Sequence, residues 1–221
     1  MLEAYPAALS MKDSLGRYPI HSALIKLRMH SFVQLALKQD LDGENPAAVE
    51  SPEGDLPLQL AVENLSSAEV VQALVDAYPP AINRTRTDNT SNLMTVYINA
   101  DRRHVDRTIE QIDTMCDILN IFFDKMPDIL KDPELSDPRK GKKKDLCIHH
   151  ALINRCVDKV LLTTVVAIHK KHGPAELERQ LISCFNDNDI DQTFSMMLEQ
   201  NRGKEVIETC LELCGEGAKT V

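Results

Sequence analysis

Pro19-Ile20-His21-Ser22-Ala23-Leu24-Ile25-Lys26-Leu27 and Pro57-Leu58-Gln59-Leu60-Ala61-Val62-Glu63-Asn64-Leu65 are two copies of one pattern, 38 residues apart. The residues that follow keep the same offset: SFVQLAL from Ser31 aligns with EVVQALV from Glu69. Two shorter stretches repeat as well, AYPAAL at Ala4–Leu9 and AYPPAI at Ala77–Ile82. A recurrence on this scale marks an array of small units, each unable to bury its apolar surface alone.

Further copies start at Leu93 (LMTVYIN), at Cys147 (CIHHALIN) and at Thr193 (TFSMMLEQ), the last continuing into EVIETCLEL at Glu205. The first half of each unit carries apolar columns at Ile20/Ala23/Leu24, Leu58/Ala61/Val62, Met94/Tyr97/Ile98, Ile148/Ala151/Leu152 and Phe194/Met197/Leu198. Spacing of i, i+3, i+4 is one face of an α-helix. The second half repeats i, i+1, i+4, i+5: Phe32/Val33/Ala36/Leu37, Val70/Val71/Leu74/Val75, Ile118/Leu119/Phe122/Phe123, Val160/Leu161/Thr164/Val165 and Val206/Ile207/Cys210/Leu211. That broader stripe can touch helices on two sides. Between units, SLGRYP (Ser14–Pro19) and PEGDLP (Pro52–Pro57) place a Gly in a turn and a Pro at the first helical position, where its missing N–H and fixed φ are no handicap.

Pro-Leu/Ile-x-x-Ala opening a short helix, then a Val-Val-x-x-Leu helix and a Gly turn, resembles the ankyrin repeat. Pro19-Ile20-His21-Ser22-Ala23 is the nearest match to that family's Thr-Pro-Leu-His-x-Ala opening. Tyr18 and Leu56 stand where the family has Thr, and Leu93, Cys147 and Thr193 stand in the Pro column of later copies. Longer helix pairs of the HEAT kind are the competing assignment. The expected fold is all-α, a solenoid of stacked antiparallel helix pairs. Residues 1–16 form a partial N-terminal repeat, and 17–215 an array of about five pairs. An insertion is expected near 100–113, a basic loop near 132–145 and a disordered tail at 216–221. The opening MLEAYPAAL matches only the end of a second helix, so the native array is expected to extend upstream.

Composition agrees with close-packed helices. Hydrophobic residues are 43% of the 221 but aromatics only 4%, with no Trp, so the core is aliphatic and poor in the residues that favour sheets. The net charge of −9 argues against duplex nucleic acid as a partner, since phosphate affinity needs a basic surface. The N-terminus lacks a charged region followed by an apolar one, so no signal peptide is read. No run of about 18 apolar residues is present. The six cysteines, Cys116, Cys147, Cys156, Cys184, Cys210 and Cys214, are expected as reduced thiols in an intracellular protein, cytoplasmic or nuclear.

Candidate chemistry is sparse. Cys147, His149, His150 and Cys156 resemble a metal cluster, but their spacing does not put paired ligands on one helix face, and His149 falls in the column of His21. Cys210 and Cys214, spaced i, i+4, continue a core stripe. His169 and His172 suit the C-terminal end of a helix. No G-x-S-x-G, P-loop, G-x-G-x-x-G or H-E-x-x-H motif occurs. The chain is therefore read as a non-enzyme without cofactor or metal. Arg139-Lys140-Gly141-Lys142-Lys143-Lys144 reads as a solvated loop, or as an import signal or contact for an acidic partner. A second basic cluster, Arg102-Arg103-His104 with Arg107, lies among acidic neighbours.

The resemblance implies binding through loop tips and the inner face of the first helices, where Lys26, Glu63 and Asn154 lie. Carried over by position, the tip residues are Asp13, Arg17, Glu53, Asp55, Arg86, Asp88, Arg139, Lys142 and Lys143. The implied function is non-catalytic protein–protein interaction or scaffolding, with another protein as partner and no membrane. Two alternatives stay open: a structural segment of a longer repeat protein, and an enzyme with a metal site near Cys147, His149 and His150.

Overall fold

The computed structural model describes residues 6–27, 30–39, 41, 43–86, 90–101, 107–132, 146–153, 156–184 and 203–215. Among them the chain is all-α: helices, short helical turns and isolated bridges, with no strand. The fifth copy from Thr193 to Gln200, the basic loop and the 216–221 tail lie outside the described residues. Contacts divide the chain into two compact units, Met1–Val96 and Tyr97–Val221.

In the first unit, α1 (Pro19–Ser22) runs on into one π-helical turn, Ala23–Leu27, and is followed by α2 (His30–Ala36). The next pair is α3 (Pro57–Glu63) and α4 (Ala68–Ala77). Pro19 and Pro57 occupy the first helical positions, as their fixed φ favours. Like packs on like: α3 lies against α1 and the Ala23–Leu27 turn, and α4 lies against α2. The reason is the two-sided stripe of α4, whose Val70, Val71, Leu74 and Val75 are fully buried. A side chain such as Leu74 contributes about 1.5–3 kcal/mol by leaving water, and truncating it to Ala removes about 2–5 kcal/mol.

The second unit holds α6 (Ile109–Lys125), α7 (Cys147–Ile153), α8 (Asp158–His172), α9 (Pro174–Cys184) and α10 (Lys204–Gly215). Helix α8 is its centre and packs against α6, α7, α9 and α10. Val160, Leu161, Thr164, Val165 and Ile168 are all fully buried there. The one polar member, Thr164, satisfies its hydroxyl with Val160 O at 3.1 Å and the Tyr97 hydroxyl at 2.9 Å. Helix α6 begins at a reciprocal cap: Gln111 N donates to Thr108 Oγ1 at 3.2 Å and Thr108 N to Gln111 Oε1 at 3.1 Å, the geometry of a capping box. The helix therefore starts before Asp113, so the last residues of the stretch read as an insertion, Ile109 to Asp113, are helical.

Helix α5 (Asn92–Asn99) contains the boundary between the units and corrects the third copy by one residue. Ser91 Oγ accepts from Met94 N at 3.1 Å, so Ser91 is the cap and Asn92, not Leu93, stands in the Pro column. The buried face becomes Leu93, Val96, Tyr97 and Ala100, while Ile98 is 47% exposed. Leu211, placed in the core by its column, is also exposed. Phe32 and Leu37 are half-buried. The other described members of both column sets are buried.

Second helices share an ending that the sequence reading caught only in part. Tyr78 (φ −149, ψ 79) and Met126 (φ −143, ψ 71) close α4 and α6 in the same conformation. Their N–H groups donate to Leu74 O and Phe122 O. A Pro follows each and opens a short 3-10 turn, Pro79–Asn83 and Pro127–Leu130, that buries Ala81/Ile82 and Ile129/Leu130. Pro restricts the residue before it to extended backbone, so the same residue ends the helix and aims the chain back to the core.

Candidate binding surface

The tips between helix pairs are built alike. Asp13 N donates to Arg17 O and Gly16 N to Asp13 O, both at 2.9 Å; 38 residues later Ser51 N donates to Asp55 O at 2.8 Å and Gly54 N to Ser51 O at 2.9 Å. Arg86 N donates to Thr90 O at 2.9 Å in the third tip. Gly16 and Gly54 have φ of 80° and 87°, a region open to Gly at little cost.

Side chains organise each tip from within. Asp13 Oδ1 accepts from Leu15 N at 2.8 Å and Arg17 N at 3.0 Å, and its Oδ2 from Ser22 Oγ at 3.2 Å. These bonds, that from the Arg17 backbone foremost, hold its carboxyl below the ordinary 3.8. Ser51 takes the place of Asp13 in the second tip, its Oγ accepting from Glu53 N and Asp55 N at 3.3 Å. A short polar side chain reaching its own following backbone is a recurrent turn device.

Adjacent tips are tied together. Arg17 pairs with Glu53, and that hydrogen bond, with one involving Ser51, pulls the Glu53 carboxyl down to about 2. Asp55, whose side chain is 6% exposed, accepts from Arg86 at 2.9 Å, and Arg86 also reaches Glu63 at 2.7 Å. Four of the tip residues read from sequence as presented to solvent, Arg17, Glu53, Asp55 and Arg86, are thus joined pairwise across neighbouring tips, and Asp13 is folded into its own. Glu63, read as an inner-face group, is held by Arg86. Lys26 is exposed. Asp88, Arg139, Lys142, Lys143 and Asn154 lie outside the described residues.

Beside the exposed Lys12, Asp13 and Ser14, the first tip presents two large apolar side chains. Leu15 is 62% exposed and Met11 68%. Met11 also lines a shallow depression of about 270 Å³, with Lys12, Pro19, Ser22 and Phe32. Lys12 Nζ lies 4.8 Å from the Tyr18 ring centroid, within cation–π range. Leu15 occupies the position that Glu53 takes in the second tip, a difference visible once the copies are aligned.

Below the first two tips, and again at Cys147–Ile153, one side chain at the third helical position bridges two segments. His21 Nδ1 accepts from Tyr18 N at 3.2 Å and its Nε2 bonds Val49 O at 2.9 Å. Gln59 Oε1 accepts from Leu56 N at 2.7 Å, and Gln59 Nε2 donates to Arg84 O at 3.4 Å. His149, in the second unit, accepts from Leu146 N at 3.0 Å and shares a bond with Ser183 Oγ at 3.0 Å. Each of these side chains satisfies the N–H of the residue that opens its helix, the return half of a capping box; the other half, a hydroxyl at the third helical N–H, is one that Tyr18 and Leu56 cannot supply.

The other candidate groups are dispersed. Cys147 Sγ donates to Ile129 O at 3.0 Å and His150 stacks on Tyr97, so Cys147, His149 and His150 turn to three different neighbours. Among the described residues no three His, Cys, Asp or Glu side chains could hold a metal ion. None of the six cysteines is in a disulfide; burial pushes Cys210 up to about 12 and Cys214 to about 11, leaving both protonated and poorly nucleophilic. His172 reaches Pro127 O at 3.2 Å from the last turn of α8. Arg107 Nε donates to Asn99 O at 2.9 Å and so satisfies the end of α5. In the second unit an open groove of about 630 Å³ runs between α6 and α8, floored by Phe123, Leu162 and Val166. Its Lys159 and Lys171 are already paired with Asp113 and Asp124.

In comparisons with known proteins, no family model and no curated protein matches the chain. Among the described residues, no helix is long and apolar enough to cross a membrane.

Proposed function

We propose that the chain is an array of ankyrin-like helix pairs that binds another protein without catalysis, through the tips of the loops between pairs. The observation that supports this is the combination found at the first two tips. Their backbone is built identically and they are tied together by Arg17–Glu53, yet their outer side chains differ: the first carries the exposed Leu15, with Met11 nearby, at the position where the second carries Glu53, which is taken up by Arg17. A constant frame with a variable outer side chain is what recognition by a repeat array requires. Because the frame is pre-ordered, binding does not have to order the loops at the same time. Exposed apolar groups on a polar rim are anchors for a partner surface.

Affinity capture of the whole chain from its own cell extract tests this reading. A second bait carries Met11→Asp and Leu15→Asp, which alter the presented surface and leave Asp13, Arg17 and Glu53 in place. A protein held by the native chain and lost by this variant supports the reading. Equal retention by both baits, or nothing above background on either, overturns it.

A further inference from the structure

His21 and Gln59 hold equivalent joints with different chemistry, and only one of them can take up a proton. Nδ1 of His21 accepts a backbone N–H, from Tyr18, so the proton of the neutral ring sits on Nε2 and is donated to Val49 O. The ring is buried. A second proton could be placed only on Nδ1, where it would face the Tyr18 N–H donor to donor. Gln59 makes the matching pair of bonds with an amide that does not titrate.

We propose that His21 is a proton-operated latch on the first joint, whose charging ejects the imidazole from its site and frees both the α1 cap and the segment leading into the Ser51–Asp55 tip. Proton uptake converts Nδ1 from acceptor to donor, Tyr18 N–H loses its partner, and a charged ring in an apolar site is driven toward water. Val49 then loses the bond that fixes the chain two residues ahead of Ser51. Burial is the leading influence on the imidazole and holds its pKa below the ordinary 6.5, in agreement with this geometry. The charged groups whose fields reach the ring are Glu53 from the second tip and Arg17 and Asp13 from the first. The other titratable groups of the packed segments include Tyr18, whose ring centroid lies 6.1 Å from the imidazole's, Lys26 in the Ala23–Leu27 turn, His30 in α2, Glu50 beside Val49, Asp55 in the second tip and Glu63 in α3; the Pro6–Ser10 turn has none. The latch stands whether or not the tips bind a partner.

The molecule carries its own control. Amide hydrogen exchange of the full chain is followed from pH 7.5 to 5.5 at Tyr18 and at Leu56, each corrected for its intrinsic rate. If opening of the first joint takes up one proton, its equilibrium rises by up to about tenfold per pH unit below the unfolded imidazole pKa. Protection at Tyr18 should therefore fall with acid relative to protection at Leu56. In His21→Gln the ratio of the two should become independent of pH. A ratio that stays constant across the range in the native chain overturns the proposal, and that reading needs no variant to fold.

Discussion

His21 and Gln59 stand 38 residues apart and make the same two hydrogen bonds, one back to the N–H that opens their own helix and one forward to a carbonyl leading into the next tip. The repeat is thus carried by hydrogen-bond geometry as well as by apolar columns. The two side chains are interchangeable in shape at this site but differ in charge behaviour.

Replacing His21 by Gln should therefore be mild, and replacing it by Ala should not. Ala leaves a buried Tyr18 N–H and a Val49 carbonyl unpaired, at about 1–3 kcal/mol each. Urea unfolding at pH 7.5 should show His21→Ala destabilised by about 3 kcal/mol and His21→Gln by less than about 1 kcal/mol. Equal losses would mean that the ring acts by its volume and not by its bonds.

The acid dependence of stability should come in two stages. His21 has a folded pKa depressed below 6.5, so the unfolded chain binds more protons, and its contribution is full above 6.5 and lost as pH falls through the folded value. Glu53 is depressed from 4.5 to about 2; its contribution is present above 4.5 and lost as pH falls toward 2. Unfolding midpoints measured at intervals down to pH 3 should drop first below 6.5 and again below 4.5. His21→Gln should remove its share of the first drop and keep the second, whereas Glu53→Gln should do the reverse.

Gly16→Ala should be unfavourable on two counts. Its φ of 80° costs a residue with a Cβ about 1–2 kcal/mol, and that Cβ would lie 3.3 Å from Pro52 Cγ of the neighbouring tip. The same change at Gly43, whose φ is 88° but whose Cβ would meet nothing within 4 Å, carries only the first cost. Thermal unfolding of the two variants should rank them in that order.

Asn92→Ala should cost about 2 kcal/mol. The Asn92 amide is buried and donates to Ala81 O at 2.8 Å and Ile82 O at 3.2 Å, tying the Pro79–Asn83 turn to the start of α5. Asn92→Leu, which keeps bulk and removes the donors, should be no better; a neutral outcome in chemical denaturation would contradict the bracing role.

The helix pairs were legible because burial imposes the periods directly. Val70/Val71/Leu74/Val75 and Ile118/Leu119/Phe122/Phe123 could be placed from spacing alone, and they are core. Periodicity does not fix the first residue of a helix, however. At α5 the cap chosen by Ser91 shifted the register by one and exposed Ile98. Helix α9 from Pro174 to Cys184 gives no clear period in the sequence because its polar Glu-rich face masks a short buried set, Leu177, Gln180 and Leu181. Asp13, Arg17, Glu53, Asp55 and Arg86 lie in loops between helices, but their pairing was not visible in the sequence: Arg17 with Glu53 and Asp55 with Arg86 meet across 36 and 31 residues. Charge composition cannot reveal such partners before the tips are stacked. Leu15 and Met11 carry no signal in the sequence, because an apolar residue in a loop becomes informative only when its exposure is known.

The most direct measurement is the footprint of a captured partner. Amide exchange of the full chain, with and without that protein, should show new protection at residues 11–18 and 51–56 and little change at Glu69 and Asp76 on α4. Protection confined to the exposed side of α4, or none in either tip, would contradict recognition through the loop tips.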